Sequence, residues 1–172
     1  DIIYKIIDKD LKCGFGVSSI NKAQPGTIKE FNVALAKPFE EMLLKDKIAL
    51  ITGSGQGVGQ GIALAMVDEG AKIVVTGRTL AKLENTCELI KQRGGEAIAI
   101  ECNVKDTASL EACVEQAAQH FGTIDILVNN AQEVPLGELL SITDDALDAG
   151  WESGPKATLR LMKLCHPHLK QG

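Results

Sequence analysis

Two patterns of hydrophobic and polar positions alternate along the chain from residue 47 onward. Four short apolar runs contain few polar residues, as expected for strands that are buried on both faces of a sheet. They are 47–52, 72–76, 96–101 and 124–128. Between and after these runs, apolar residues recur every three or four positions, which is typical of helices that bury one face. The alternation predicts a doubly wound α/β domain with a parallel sheet, built from right-handed βαβ units.

Four helical stripes identify the side chains that we expect to face this sheet. They are Val58, Ile62, Ala65 and Met66; Leu80, Leu83, Cys87 and Ile90; Leu110, Cys113, Val114, Ala117 and Phe121; and Leu159, Met162 and Cys165. The first helix is expected to end near Gly70 and the second at RGG, 93–95, because glycine suits a left-handed C-terminal turn. Asp106 or Thr107 is expected to cap the third helix, and the fourth is predicted to run from about 155 to 169.

The first 41 residues do not share this alternation. They hold mixed apolar and charged positions and a Pro-Gly turn signal, with no recognisable chemical motif. Met42 stands where a native start would lie, just before the first predicted strand. We therefore expect 1–41 to be an extension foreign to the domain, with a genuine N-terminal arm as the alternative, and 42–172 to be one domain.

Composition and charge exclude several classes of function. The 172 residues carry a net charge of −5 with dispersed lysines and arginines, so we expect no nucleic-acid partner. No apolar run approaches the roughly 20 residues of a membrane span and no signal peptide is evident, so we expect a cytoplasmic protein without a membrane partner. Five cysteines without a CxxC pair are expected to be reduced core residues. CHPH at 165–168 has no second ligand cluster to complete a metal site, so none is assigned.

Five glycines occur where the first predicted strand is followed by the first predicted helix, in LITGSGQGVGQGIALAM at 50–66. A P-loop would need Lys and then Ser or Thr after its last glycine, and neither follows here. The strict GxGxxG spacing is also absent, whereas TGxxxGxG fits a longer loop of the same kind. In such a loop Gly53 allows a tight exit from the strand, Gly57 a close approach to a pyrophosphate, and Gly59 close packing of helix and strand.

The alternative is a flexible turn that binds no ligand. Each glycine in ordered structure costs about 0.5–1 kcal/mol, so several in one ordered turn favour a compensating function. Exposed backbone amides and the positive end of the helix dipole would face an anion at this place. We therefore expect a phosphate-bearing ligand at the loop.

Two further motifs follow predicted strands: CNV at 102–104 and NNA at 129–131. Together with TGSGQGVG at 52–59, they stand where the short-chain dehydrogenase/reductase family has its cofactor motifs. The chain resembles the N-terminal two thirds of such an enzyme over about residues 43–170. The resemblance implies a Rossmann-like NAD(P)-binding domain at 42–172 that is incomplete at its C-terminus. It also implies an oxidoreductase that transfers a hydride between a nicotinamide cofactor and a small-molecule alcohol or carbonyl substrate. The complete protein would be a homo-oligomer.

The resemblance assigns roles to individual residues. The pyrophosphate loop would comprise Gly53, Ser54, Gln56, Gly57, Val58 and Gly59; Asn103, in place of the family's usual Asp, and Val104 would flank the adenine; and Asn129, Asn130 and Ala131 would line the cofactor cleft. The alternatives are that Asn103 only caps the following helix and that the paired asparagines only tie neighbouring strands together. In this family both roles can coexist.

Two positions depart from the family's pattern. Gln132 follows NNA where the family has glycine, and Gly154 stands where the next helix commonly carries an asparagine of the catalytic set. The family's catalytic Ser and Tyr-x-x-x-Lys lie beyond a fifth strand, and Tyr4, the only tyrosine here, precedes the domain and is followed by Asp8 in place of lysine. No catalytic residue is therefore assigned. We expect the chain alone to be an inactive, poorly stable fragment of the enzyme, and the alternative is a non-catalytic dinucleotide-binding module.

Cofactor choice depends on the end of the second predicted strand. An NAD-preferring enzyme usually presents Asp or Glu there to bind the adenosine ribose, whereas here Gly77 occupies the position and Arg78 follows. Glycine leaves room, and a guanidinium can hold a 2′-phosphate through two hydrogen bonds. Gln56 stands where many NADP-using relatives carry a second basic residue, and the alternative for Arg78 is a solvated residue at a helix start. We predict a moderate preference for NADP(H) over NAD(H).

Overall fold

The computed structural model describes residues 43–169. Its strands are β1 (Ile48–Ile51), β2 (Lys72–Gly77), β3 (Ala97–Glu101) and β4 (Ile126–Val128). Its helices are α1 (Gly57–Asp68), α2 (Leu80–Gln92), α3 (Thr107–Phe121), α4 (Asp144–Trp151) and α5 (Ala157–Leu169). A short 3-10 turn (Leu139–Ser141) precedes α4, and a π-helical turn (Glu152–Lys156) joins α4 to α5. The predicted extension, Tyr4 and Cys13 lie outside the described residues.

The four strands form one parallel sheet in the order β3-β2-β1-β4. Ile51, the last residue of β1, pairs with Val75 on one side and with Val128 on the other. The chain therefore passes from β1 outward to β3 and then crosses to the opposite side of β1 to form β4. All four carboxyl ends lie at the same edge, and the reversal of direction beside β1 is where open α/β sheets bind ligands. The predicted doubly wound α/β fold is confirmed.

Alternate residues of β1 enter two separate cores. Ile48 and Leu50 pack on one face of the sheet with α3 and α5, and Ala49 and Ile51 pack on the other with α1 and α2. Because both faces are covered, almost every position of β1 must be apolar, which explains its continuous hydrophobic run. The buried cysteines Cys102, Cys113 and Cys165 belong to the first of these cores, and each is a free thiol.

The third helical stripe is confirmed. Leu110, Cys113, Val114 and Ala117 are buried along α3. Asp106 is the N-cap, and its side chain accepts a hydrogen bond from the backbone amide of Ala108 at 3.1 Å. Of the two predicted capping candidates, Asp106 and Thr107, Asp106 is the cap. Asn103 does not cap this helix.

The first stripe is offset from the prediction. α1 buries Gly59, Ala63 and Val67, whereas Val58 is 75% exposed and Ala65 is also exposed. Small residues at spacings of four allow the helix to approach the sheet closely, and such residues carry little hydrophobic signal. The predicted end of this helix near Gly70 is close to the observed end at Asp68.

The predicted last helix is observed as α5, and α4 and the π-helical turn precede it. The first turn of α4 is capped by Thr143, whose hydroxyl accepts from the amide of Ala146 at 3.3 Å, and helical structure continues through the π-helical turn into α5. Pro155 lies in that turn. It has no N–H to donate to a helix hydrogen bond, and the wider π-helical turn accommodates it. α5 buries Ala157, Leu161 and Cys165. The predicted stripe members Leu159 and Met162 are instead about half exposed. Within residues 43–169, no helix is long and apolar enough to cross a membrane.

Candidate functional site

The glycine loop is fixed between β1 and β2 by a buried serine. Ser54 Oγ donates to the carbonyl oxygen of Ile51 at 2.8 Å and accepts from the amide of Thr76 at 2.9 Å. The Ser54 amide donates to the Thr76 carbonyl at 2.9 Å. Ser54 is fully buried, so its hydroxyl orders the loop and does not face the cleft. The contacts of Ser54 therefore hold the loop against the end of β2.

Gly59 permits close contact between the start of α1 and the loops after β1 and β4. A Cβ atom at this position would overlap the carbonyl oxygen of Gly53 and lie 2.5 Å from Asn130 Nδ2. Gly53 itself has φ +66°, a left-handed conformation that side chains rarely adopt. These two glycines are required by packing and by backbone geometry respectively.

Gly57 differs because the space beside it is open. Its φ is +60°, and a Cβ there would meet nothing within 4 Å. The backbone at the first turn of α1 is consequently accessible, and the N–H groups of a first turn have no partners within their own helix. The loop presents a cradle at the positive end of a helix dipole, which is a favourable site for an anion.

Asn130 joins the loop after β4 to the glycine loop. Its Nδ2 donates to the carbonyl oxygens of Thr52 at 2.9 Å and Gly53 at 3.2 Å. Thr52 Oγ1 in turn accepts from the amides of Asn130 at 2.9 Å and Ala131 at 3.0 Å. Asn130 therefore ties two strand ends together at the predicted cleft. Asn129 is exposed beside it. This role of Thr52 was not predicted from the sequence.

A cavity of about 140 Å³ lies at the carboxyl ends of β2 and β3. A water molecule needs only about 10–15 Å³, so the cavity is sized for an organic group. Its lining includes Gly77, Arg78, Cys102, Asn103, Val104, Lys105, Ala131, Gln132, Glu133 and Ser153. The predicted adenine-flanking pair and the predicted cleft residue Ala131 are thus brought together around one space. Asn103 Oδ1 accepts from the Lys105 amide at 3.2 Å, which orders this loop.

Arg78 and Lys82 flank a second groove, beside the glycine loop. The groove is lined by Gly55, Gln56, Gly77, Arg78, Thr79, Lys82 and Leu83. Lys82 Nζ donates to Gln56 Oε1 at 2.7 Å, so a second cation lies beside the position where sequence analysis noted its absence. Within the described residues 43–169, the lining of this groove contains two cationic side chains and no carboxylate.

Glu133 bridges two cations at the rim of the cavity. Its carboxylate lies 2.6 Å from Arg78 Nη1 and 2.9 Å from Lys105 Nζ. The hydrogen bond from Lys105, aided by the nearby Arg78 guanidinium, holds the pKa of Glu133 below its usual value of 4.5. Glu133, Lys105 and Lys82 were not among the residues predicted from the sequence to form the site.

The two departures from the family pattern lie against each other. A Cβ atom at Gly154 would lie 3.0 Å from Gln132 Nε2 and 3.1 Å from Gln132 Cδ. The Gln132 side chain thus occupies the space into which a residue 154 side chain would project. Among residues 43–169, no group of three His, Cys, Asp or Glu side chains is placed to hold a metal ion.

Known proteins are similar to this chain in sequence and in fold. Residues 47–172 match the family model described as short chain dehydrogenase. The chain is 33% identical over 130 residues to versicolorin reductase stcU of Emericella nidulans and 35% identical over 130 residues to the short-chain dehydrogenase/reductase SDRA of Arabidopsis thaliana. These matches cover 75% of this chain and 49% and 51% of the respective relatives.

Solved structures agree with the sequence matches. L-sorbose reductase from Gluconobacter frateurii, solved with NADPH and L-sorbose, superposes with a TM-score of 0.72 at 30% identity and covers 76% of this chain and 50% of its own. A hydroxysteroid dehydrogenase from Escherichia coli gives a TM-score of 0.71 at 28% identity, covering 76% and 55%.

The four parallel strands with helices on both faces form a Rossmann-like α/β fold. The chain belongs to the short-chain dehydrogenase/reductase family. It spans about half the length of the curated relatives that it matches.

Proposed function

We propose that this chain is the dinucleotide-binding part of an oxidoreductase that transfers a hydride between a nicotinamide cofactor and an alcohol or carbonyl substrate. The observation that carries the proposal is the glycine loop. Gly59 has no room for a side chain, whereas the space beside Gly57 is open at a helix N-terminus. This combination of a fixed loop and an accessible backbone suits a pyrophosphate.

Predicted site residues have distinct tasks in this proposal. The amides of Gly57 and Val58 bind the pyrophosphate, and Asn130 holds the loop in place. Asn103 and Val104 flank the adenine in the cavity, and Asn129 and Ala131 border the path toward the nicotinamide. The nicotinamide, when bound, supplies the hydride chemistry. The protein groups described here bind and orient it.

We further propose that the preferred cofactor is NADP(H). Gly77 supplies no carboxylate at the end of β2, and Arg78 and Lys82 place two positive charges in the groove beside it. A charge-assisted hydrogen bond contributes about 1.5–3 kcal/mol, equivalent to roughly 10- to 100-fold in affinity. Arg78→Ala should therefore weaken NADP+ binding by about that factor and leave NAD+ binding within about twofold.

The experiment is a titration of NADP+ and NAD+ at matched salt against the full-length protein, called the parent, and its Arg78→Ala and Arg93→Ala variants. The Arg93→Ala variant removes the same charge. Because Arg93 pairs with Asp68, away from the site, this variant should leave both affinities unchanged. Equal affinities of the parent for the two nucleotides would contradict the preference. A loss of NAD+ and NADP+ binding alike in Arg78→Ala would show that this residue does not recognise the 2′-phosphate.

A non-catalytic dinucleotide-binding module is the second candidate. The contact of Gln132 with Gly154 favours it, because a glutamine side chain fills the place of the asparagine that the family commonly uses in catalysis. The two candidate functions predict different gene sequences beyond residue 172. A further strand followed by Ser and Tyr-x-x-x-Lys supports the enzyme, whereas a continuation without that motif supports the module.

We also propose that residues 42–172 alone have no reductase activity and are poorly stable. β4 is an edge strand of the described sheet, and its three residues are apolar and partly exposed. An unpaired apolar edge promotes aggregation. The test compares this polypeptide with one extended to the native terminus. A soluble, cooperatively unfolding short polypeptide with reductase activity would contradict the proposal.

The exposed faces of the last helices support a homo-oligomer. Leu159 and Met162 follow a helical stripe but are 53% and 54% exposed, and Leu147 and Trp151 are exposed on α4. We propose that a second copy of the complete protein covers part of this surface. We also propose that the complete enzyme is cytoplasmic. Light scattering of the full-length protein, compared with a Met162→Lys variant, tests the oligomer; a parent that remains monomeric contradicts it.

A further inference from the structure

Three loops from three strand ends meet at the carboxylate of Glu133. Arg78 follows β2, Lys105 follows β3 and Glu133 follows β4. Because β1 lies between β2 and β4 in the sheet, the contact between Arg78 and Glu133 spans the carboxyl end of β1. This ion cluster therefore crosses the edge of the sheet where the dinucleotide is proposed to bind.

The backbone of Glu133 is anchored by a hydrogen bond to a buried residue, whereas its side chain is held by ion pairs. Its amide donates to Ser153 Oγ at 2.8 Å, and buried Ser153 donates onward to the carbonyl oxygen of Ala149 at 2.7 Å. The Glu133 side chain is 34% exposed and the Arg78 side chain 64% exposed. Both side chains can therefore change rotamer without disturbing the core, so their ion pair is exchangeable.

The Glu133 carboxylate and a 2′-phosphate would both interact with the Arg78 guanidinium. Glu133 already accepts from Arg78 Nη1. A phosphate at the same guanidinium either displaces the carboxylate or lies near a second negative charge, and both situations weaken its binding. A ribose 2′-hydroxyl has no such charge, so NAD experiences neither effect.

We infer that Glu133 is a specificity-determining residue that opposes the 2′-phosphate at Arg78 and so limits the preference for NADP over NAD. The inference rests on the proposed function, because it concerns the same cofactor site. In the absence of nucleotide, Glu133 neutralises Arg78 and Lys105. When NADP binds, Arg78 exchanges the carboxylate for the phosphate, and Lys105 retains Glu133. When NAD binds, the cluster remains as it is.

The test is the affinity of Glu133→Gln for NADP+ and NAD+, measured by isothermal titration beside the parent. Exposed ion pairs are weak, so we expect NADP+ binding to tighten by roughly two- to fivefold and NAD+ binding to change by less than about twofold. Glu138→Gln is the matched control, because this exposed residue of the same loop carries the same charge. It should change neither affinity. Combining Glu133→Gln with Arg78→Ala should abolish the gain.

Each outcome decides between the two ideas. Binding of both nucleotides with an unchanged ratio in Glu133→Gln overturns the inference alone. A gain that persists without Arg78, or an equal gain in Glu138→Gln, also overturns it, because the effect would then be a general one of net charge. Failure of the parent and Glu133→Gln alike to bind either nucleotide overturns the proposed function and the inference together.

Discussion

The most informative single substitution is Gly59→Ala, because two nearby glycines of α1 provide opposite expectations for the same change. An added methyl at Gly59 would overlap the Gly53 carbonyl oxygen and approach Asn130 Nδ2 at 2.5 Å. The neighbours include backbone atoms, which cannot rotate away. At Gly61, two residues along the same helix, an added methyl meets nothing within 4 Å.

The expected magnitudes have opposite signs. Overpacking of a close contact costs about 1–3 kcal/mol, which exceeds the gain of about 0.5–1 kcal/mol from replacing a helical glycine by alanine. Gly59→Ala should therefore lower the free energy of unfolding by about 1–2 kcal/mol, and Gly61→Ala should raise it by about 0.5–1 kcal/mol. Gly59→Ala should also displace the Asn130 bridge and abolish nucleotide binding, whereas Gly61→Ala should retain it.

Urea unfolding of the purified parent and both variants, followed by NADP+ titration, provides the measurement. The comparison is internal, since both changes add the same methyl to the same helix. If Gly59→Ala were as stable as Gly61→Ala and bound NADP+ with the affinity of the parent, the account of the loop as a close-packed phosphate cradle would be refuted.

Three further substitutions test the contacts around the loop. Asn130→Asp replaces a donor by an anion facing two carbonyl oxygens, and should lower the free energy of unfolding by about 1–3 kcal/mol and weaken NADP+ binding; unchanged values would contradict the bridge. Ser54→Ala leaves the amide of Thr76 without its buried hydroxyl acceptor, and should cost about 1–3 kcal/mol in urea unfolding; a neutral effect would contradict that role. Gly154→Ala should be more favourable in a Gln132→Ala background than in the parent, and a double-mutant cycle with no coupling would contradict their contact.

The strands and their order of occurrence could be predicted because both faces of the sheet are covered. Continuous apolar runs such as the one at 48–51 follow from that burial alone. The buried face of α3 could also be predicted, since Leu110, Cys113 and Val114 are apolar and regularly spaced. The motifs at the strand ends likewise located the cleft, because parallel strands bring their carboxyl ends to one edge.

The remaining features depend on tertiary contacts, which a local sequence pattern does not predict. The face of α1 was misplaced because Gly59 contributes to packing through its lack of a side chain. Arg78 and Glu133 are 55 residues apart in sequence, and only the order of the strands brings them together. Leu159 follows a helical stripe yet is exposed, so its hydrophobicity does not report burial in this domain.

The central claim is that a nicotinamide dinucleotide binds across the glycine loop, and amide chemical shifts in a ¹⁵N-labelled protein titrated with NADP+ test it most directly. The account predicts the largest, saturable shifts at 53–59 and 129–131, with smaller ones at 103–104. It also predicts that Gly59→Ala abolishes them. Shifts absent from 53–59 at saturation, or concentrated on the distant surface of α3, would contradict it.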